Sequence, residues 1–330
     1  MTEQITTTSE RDAIEQTVPC PLCGSAHYHE ERSGPDYFMH LPGTFHLVRC
    51  EECGLLYQNP RPTLDEIARY YPDHYGSYDS AQGGLAARRG VMGLVIRRGL
   101  HKRCRLLDRM VPPVPGRPRR LLDVGCASGL FLEAMRAYPG WQVEGVELNR
   151  MAARATSARL GVPVFAGPLE QAHYPDAAFD AVTLWDVLEH LHDPLASLRE
   201  LRRIMRPGGA LFVRVPNAAS YVAGGCGRYW SGYDLPRHMT LFTPTTLQQA
   251  LARAGFDRPV VRYSSGSYLA ALHSLRFAMD DGLVSPARAA RIHRWLLHPV
   301  VRALAWLPFT VADRLAAGSN LEVLALARRS

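Results

Sequence analysis

Leu121-Leu122-Asp123-Val124-Gly125-Cys126-Ala127-Ser128-Gly129-Leu130-Phe131-Leu132-Glu133-Ala134-Met135 is the stretch whose reading decides the fold. Leu121 to Val124 is a short apolar strand, and Leu130 to Tyr138 has helical spacing. Between them lie small residues. Gly125 and Gly129 let a ligand approach the backbone closely, and the first turn of the helix presents unpaired N–H groups to an acceptor. A strand, a small-residue turn and a helix in succession form the crevice where open α/β sheets bind nucleotides. The dinucleotide fingerprint GxGxxG is absent, because the turn reads Gly-x-Ala-x-Gly. Glu147 ends the next strand, 24 residues after Asp123. A carboxylate there suits two ribose hydroxyls.

Outward from this turn, strands and helices alternate. Strands are expected at Gln142–Glu147, Val162–Ala166, Phe179–Leu184, Ala210–Val215, Pro259–Tyr263 and Leu321–Ala327. Helices are expected at Arg150–Leu160, Pro194–Met205 and Thr245–Ala254, and Arg206-Pro207-Gly208-Gly209 reads as a turn. The alternation predicts a parallel, doubly wound sheet of seven strands, Rossmann-like in class. The stretch 266–318 is too long for a loop and has helical periodicity, so a helical insertion is expected before the last strand. The division follows: a disordered tail over 1–17, a cysteine-rich module over 18–60, a helical connector and Pro-rich linker over 61–118, and the α/β domain over 119–330.

The 330 residues are 47% hydrophobic and 21% charged, as in a globular protein that buries a full core. No apolar run reaches the length of a membrane span, and Met1 to Glu15 has no signal-peptide core. A cytoplasmic location is therefore expected. The net charge is +7, and Lys102 is the only lysine. Two basic segments stand out. Leu85 to Arg109 sets eight cationic residues among Met92, Val95, Ile96, Leu100 and Leu107. Residues 288–314 set Arg288, Arg291, Arg294, Arg302 and Arg314 among Trp295, Leu296, Leu297, Trp306, Leu307 and Phe309. The plain reading is a helix packed on the core with a solvated face. The sharper one is peripheral contact with the inner face of a membrane, or a lipid-linked acceptor.

The segments "LLDVGCASGLFLEAM", "VEGVELN", "FDAVTLWDVLEHLHDP" and "LRRIMRPGGALFVRVPN" resemble the class I S-adenosylmethionine-dependent methyltransferases in order and spacing. The resemblance covers about 119–263. It implies that Gly125, Cys126, Ala127, Ser128 and Gly129 line the methionine part of S-adenosylmethionine, with Asp123 and Phe131 also in the cofactor site. It further implies that Glu147 holds the ribose, with Leu148 beside the adenine, and that Trp185 and Asp186 close over the cofactor near the transferred methyl. Ala127 stands where many members have glycine, and Pro168 where many have an acidic residue, so adenine recognition falls to the backbone near Leu169. The reaction would be an SN2 displacement from a sulfonium, in which the protein supplies alignment and, where needed, a base.

Seven cysteines are present. Four of them form two CxxCG knuckles, Cys20-Pro-Leu-Cys23-Gly24 and Cys50-Glu-Glu-Cys53-Gly54. Each knuckle puts two thiolates on one turn, and four thiolates satisfy tetrahedral zinc with no open position. A structural zinc on Cys20, Cys23, Cys50 and Cys53 is expected. The segment "CPLCG…CEECGLLYQNPRPTLDEIARYY" resembles the zinc-ribbon leader of some bacterial methyltransferases, including sugar C-methyltransferases acting on nucleotide-linked deoxysugars. That likeness implies a leader seated over the active site that shapes the acceptor pocket.

Tyr229 to His238 follows the fifth strand and should overhang the acceptor, because the carboxyl ends of strands face the ligand. "DLPRHMTLFTPTTLQQALARAGF" is similar to the corresponding region of small-molecule and sugar methyltransferases. Histidine is the usual base near neutral pH. His238 with Tyr233 as partner is the first candidate, and His190 the second. Methyl transfer to a small-molecule or carbohydrate acceptor, nucleotide- and lipid-linked sugars included, is the expected function. An rRNA base methyltransferase with a zinc module is the alternative enzyme; Trp185-Asp186-Val187-Leu188 lacks the (Asp/Asn)-Pro-Pro-aromatic motif used on exocyclic amines of bases. A non-catalytic zinc-ribbon interaction protein is the third reading, opposed by Gly125, Gly129 and Glu147.

Overall fold

The computed structural model describes residues 15–71, 84–264, 266–315 and 317–328. Most of the expected N-terminal tail, residues 1–14, and the middle of the connector, residues 72–83, lie outside the described residues. The leader contributes strands β1 (Glu15–Gln16), β2 (Tyr28–Gly34), β3 (Phe45–Cys50), β4 (Leu56–Gln58) and β5 (Arg61–Pro62). Helices α1 (Gly84–Ala87) and α2 (Gly90–Met110) follow. The α/β unit then runs β6 (Arg119–Val124), α3 (Leu130–Arg136), β7 (Trp141–Glu147), α4 (Arg150–Leu160), β8 (Val164–Ala166), β9 (Phe179–Trp185), α5 (Pro194–Ile204) and β10 (Met205–Pro216). It continues with α6 (Tyr221–Cys226), β11 (Thr240–Leu241), α7 (Pro244–Arg253) and β12 (Phe256–Ser264). The insertion holds α8 (Ser267–Ala278), α9 (Pro286–Leu296) and α10 (Pro299–Leu315), and β13 (Asn320–Ala327) closes the sheet.

Local chemistry explains the boundaries. The Asn149 side chain accepts from the N–H groups of Met151 and Ala152 and starts α4. Asp193 caps α5 with Pro194 behind it, where a missing N–H costs nothing. Thr243 and Thr246 form a reciprocal cap at α7. In α2, Leu100, Cys104 and Leu107 are buried, one stripe at helical spacing against the sheet. The apolar stripe of this basic segment is thus packed on the core, while Leu94 and Val95 of the same helix are exposed.

The main sheet has seven strands in the order β12-β13-β10-β9-β6-β7-β8. β9 is buried on both faces over Phe179 to Leu184, as a central strand covered by helices must be. The sheet is mixed, not wholly parallel as the alternation suggests: β13 runs antiparallel to both β10 and β12. Ser264 pairs with Asn320, so the chain leaves β12 and re-enters β13 at the same end of the sheet. The helical insertion is thus an elaborated hairpin connection rather than a crossover on one face.

The leader is built into this body. β2, β3, β4 and β11 form one antiparallel sheet, and β11 comes from the far end of the chain, pairing Thr240 with Tyr57 and Leu241 with Leu56. Cys20, Leu22, Val48, Cys50, Leu55 and Tyr57 share one core with Leu247, Ala250 and Leu251 of α7. Arg253 Nη1 donates to the Leu22 carbonyl at 2.9 Å.

Candidate functional site

At the end of β6 the Asp123 carboxylate is buried and accepts a 2.6 Å bond from Thr183 Oγ1 on β9. Burial pushes its carboxyl up to about 7, partly offset by Thr183 and by Arg103. The turn that follows is left-handed at Gly125 (φ 68°), Ala127 (φ 45°) and Gly129 (φ 64°). A Cβ on Gly125 would sit 2.5 Å from Val187 Cγ2, and one on Gly129 2.5 Å from Thr156 Cγ2. The turn is therefore packed from below, and its outer side stays as narrow as glycine allows.

Glu147, at the end of β7, is tied to the same turn. Its Oε2 accepts from Ala127 N at 2.8 Å, and its Oε1 from Asn149 N at 2.8 Å. Burial raises its pKa, while the N–H groups of Asn149 and Ala127 lower it. A carboxylate offers about four acceptor positions, so two bonds leave capacity for ribose hydroxyls. Beside it in the chain Leu148 is 64% exposed, whereas Leu169, after β8, is buried. The donor set matches the groups of S-adenosylmethionine that need holding.

The end of β9 carries a charge network. Asp186 is left-handed (φ 57°), and its carboxylate accepts from Nε and Nη2 of Arg214 on β10. Trp185 lies edge-on to Phe131 at 5.2 Å, with the Arg103 guanidinium of α2 4.3 Å from its ring centroid. Asp186 is thus engaged by a cation, and Trp185 is held as one layer of a stack.

One helical turn on, Glu189, His190 and His238 converge. One Glu189 oxygen and one nitrogen of each histidine lie within 4.8 Å of one another, and the imidazoles stand edge to face at 4.6 Å. His238 Nδ1 meets the Gly232 carbonyl at 2.8 Å, and His190 Nδ1 meets the Arg237 carbonyl at 3.0 Å. A carbonyl only accepts, so each Nδ1 carries the proton and each Nε2 is left as the basic nitrogen. Tyr71 Oη adds a 2.9 Å contact to His190 Nδ1. Glu189 is fully buried, and among the described residues neither carboxylate oxygen has a hydrogen-bond partner. Burial, with the Asp186 charge nearby, drives its pKa well up. Burial, then His238, drives that of His190 well down.

The leader locks the loop that bears His238. Asp36 accepts from Arg237 Nη1 at 2.9 Å and from Nη2 at 2.6 Å, and both side chains are fully buried. Asp234 adds 2.9 Å and 2.6 Å bonds to the same guanidinium. Burial pulls the Arg237 pKa down, but the two carboxylates prevail and hold it high. Arg32 of β2 covers the Tyr233 ring at 4.5 Å. In the knuckles, Cys20 Sγ lies 3.5 Å from Cys53 Sγ, and Cys23 Sγ 3.4 Å from Cys50 Sγ. All four sulfurs fall within 4.8 Å of one another. Zn–S bonds of about 2.3 Å need sulfurs about 3.8 Å apart, so the set fits a tetrahedral ion.

The structure therefore brings together Asp123, the 125–129 turn, Phe131, Glu147, Leu148 and Leu169 at one end of the sheet, with Trp185 and Asp186 beside them. It unites the two histidine candidates in one cluster. Tyr233 instead packs edge-on to Trp230 at 5.0 Å under Arg32, and Tyr71 is the tyrosine at the histidines. Reasoning from sequence alone missed Glu189, Tyr71, Thr183, Arg103, Arg214 and the Asp36–Arg237 pair. A glutamate directly before His190 in an otherwise apolar run was a readable signal for the first. Asp36 and Arg237 are 201 residues apart and carry none.

The methyltransferase-domain family matches residues 96–259. The chain is 34% identical over 169 residues to the ubiquinone biosynthesis O-methyltransferase of Ralstonia nicotianae, which covers 47% of this chain and 70% of that protein. It is 29% identical over 185 residues to the enzyme of the same name from Chromobacterium violaceum, covering 52% and 78%. Among solved structures, the [4+2]-cyclase SpnF superposes with a TM-score of 0.50 at 19% identity, covering 82% of this chain and 98% of that one; this likeness concerns the fold. The domain match spans the strand ends, the left-handed turn and the Glu189–His238 cluster, and with 34% identity over 70% of the Ralstonia enzyme the chain belongs to the class I S-adenosylmethionine-dependent methyltransferases.

Proposed function

We propose that this enzyme methylates a hydroxyl of a small acceptor, a sugar or another compact hydroxylated molecule, held between the 125–129 turn and the leader. The carrying observation is the pair of histidines at the carboxyl end of β9, each with Nδ1 committed to a carbonyl. The oxygen acceptor is supported by relatives whose name states O-methyl transfer. S-adenosylmethionine supplies an electrophilic methyl on a sulfonium. Glu147 and Leu148 hold its nucleoside end, and the 125–129 turn with Asp123 holds its amino-acid end. Trp185 and Arg103 exclude water from one side of the reacting centre. His238 Nε2 takes the acceptor proton, and His190, fixed by Tyr71 and the Arg237 carbonyl, keeps the His238 ring in place. Cys20, Cys23, Cys50 and Cys53 hold a structural zinc that shapes the leader.

His238→Ala should lower turnover at saturating cofactor by about 10²–10⁴-fold while leaving cofactor affinity, measured by calorimetry, within about twofold. Unchanged turnover would exclude His238 as the base.

Glu189 favours a second reading. Two imidazoles with Nδ1–H on carbonyls and one carboxylate are the ligand set and outer shell of a divalent cation, and a cation would answer the two unpaired Glu189 oxygens. Such an ion would supply Lewis acidity to the acceptor hydroxyl. Chelator-treated enzyme that regains turnover with Mg²⁺ or Mn²⁺ supports this reading. Full activity after exhaustive chelation, with zinc still bound to the leader, returns the role to the histidine alone.

A further inference from the structure

The insertion between β12 and β13 has an inner and an outer layer. α8 is the inner one: Leu272, Ser274, Phe277 and Ala278 are buried, and Phe277 stacks on Tyr37 at 5.5 Å and meets Phe38 at 4.7 Å. Ser267 Oγ and Ser319 Oγ, 2.8 Å apart and buried, pin its base.

α10, in the outer layer, inverts the usual arrangement of an amphipathic helix. Asp313 is a buried residue, at 3% exposure, and it accepts from Gly266 N at 3.2 Å and Tyr221 Oη at 3.2 Å. The apolar residues point outward. Val300, Leu304, Leu307, Val311 and Leu315 are 58%, 72%, 60%, 46% and 83% exposed. Their spacing of 4, 3, 4 and 4 residues sets them on one stripe. Trp306 on α10 and Trp295 on α9 are exposed as well. Ordinary protein surfaces do not leave contiguous apolar area of this kind uncovered.

The exposed charges carried by the described residues of α9 and α10 have one sign. Arg288, Arg291 and Arg294 on α9 and Arg314 on α10 are exposed. From residue 282 to residue 312 the sequence holds no aspartate or glutamate. A second copy of this chain placed on the stripe by two-fold symmetry would bring arginine against arginine, which opposes self-association. An apolar stripe, two exposed tryptophans and the exposed arginines of the same two helices complement an anionic lipid surface, where leucines enter the acyl boundary, tryptophans sit at headgroup level and arginines meet phosphates. Among the described residues no helix is long and apolar enough to cross a membrane, so the mode is lying on the surface.

We propose that α9 and α10 form an interfacial hairpin that docks this methyltransferase onto anionic lipid bilayers. The inner helix then links the bilayer to the acceptor side. Ser231 N donates to Ser274 Oγ at 2.9 Å, and Ser231 Oγ donates to the Ala270 carbonyl at 3.1 Å, one residue from the Gly232 carbonyl that holds His238.

The test is flotation of the full-length protein with vesicles of phosphatidylcholine alone and with 30% phosphatidylglycerol added. Binding is expected to the mixed vesicles only and to fall with salt. Arg291→Gln and Arg294→Gln should each weaken it by about fivefold. Leu304→Glu with Leu307→Glu should abolish it while leaving S-adenosylmethionine affinity unchanged, because both leucines lie outside the cofactor cleft. Tryptophan fluorescence of the unaltered protein, expected to shift to the blue and to be quenched by shallowly brominated lipid, keeps the test independent of any variant. Absence of binding to the mixed vesicles, or binding indifferent to the leucine substitutions, overturns the proposal. So does a concentration-dependent dimer that the same substitutions dissociate.

Discussion

In the proposed cofactor site, Asp123 is the residue whose titration a bound cofactor should move most. With its pKa near 7 through burial, a good fraction of the carboxyl is protonated in the ligand-free enzyme at neutral pH. S-adenosylmethionine brings a sulfonium and an ammonium, and nearby positive charge favours the ionised carboxylate. Binding should therefore release a proton, and affinity should rise as pH climbs through about 7. The linkage with folding has the opposite sense. A carboxyl raised above its unfolded value stabilises most below pH 3.8 and loses that contribution as pH rises through about 7. Calorimetry in two buffers of different ionisation heat reads the proton directly, and Asp123→Asn should remove both the proton and the pH slope. Glu147 makes a companion prediction. It accepts from two backbone N–H groups of its own fold, so Glu147→Ala should raise the cofactor Kd by about 10- to 100-fold and also lower the melting temperature, since charged hydrogen bonds contribute about 1.5–3 kcal/mol each. A rise in Kd with no loss of stability would mean that the turn does not depend on this carboxylate.

At the scale of elements, the alternating pattern placed each strand of the α/β unit within a few residues, since buried strands read as apolar runs between turn residues. The exceptions have causes. β10 begins at Met205 rather than Ala210 because Arg206-Pro207-Gly208-Gly209 forms an irregularity within the strand, where the register with β9 shifts. Thr240–Leu241 was illegible because two residues pairing with a leader strand show no period. The direction of β13 was hidden because a hairpin connection filled with helices reads like a crossover. The Asp36–Arg237 contact between leader and loop is the interaction on which the position of His238 rests. Asp36→Ala leaves a buried guanidinium short of one carboxylate, and breaking such a pair costs about 3–5 kcal/mol. Asp36→Ala should lower the melting temperature strongly, and Asp36→Leu with Arg237→Met should recover part of the loss. A single variant as stable as the parent would show that Asp234 alone satisfies the arginine.

At the scale of the molecule, the leader and the α/β unit are one folding body with a shared core, although the sequence divides into cysteine-rich and nucleotide-binding parts. The convergence of Cys20, Cys23, Cys50 and Cys53 was readable from spacing alone, because four thiolates on two turns serve few purposes other than holding a metal. What they support was not, since the partners of the leader lie near residue 240. Elemental analysis should give one zinc per chain. Its removal should lower turnover and stability together, because the His238 loop is bolted to the leader, while cofactor affinity should fall far less. A stable, fully active zinc-free protein would show that packing on α7 suffices.

The sheet that joins β4 to β11 also has a consequence for synthesis. The leader leaves the ribosome first, with Asp36 and Tyr57 already in place, yet Arg237 and Thr240 follow almost two hundred residues later. Until then the nascent leader has an unpaired strand edge and an unmatched carboxylate. The last stretch to complete it is the stretch that bears His238, so the two-histidine cluster takes shape only after the 125–129 turn and Glu147 have been translated.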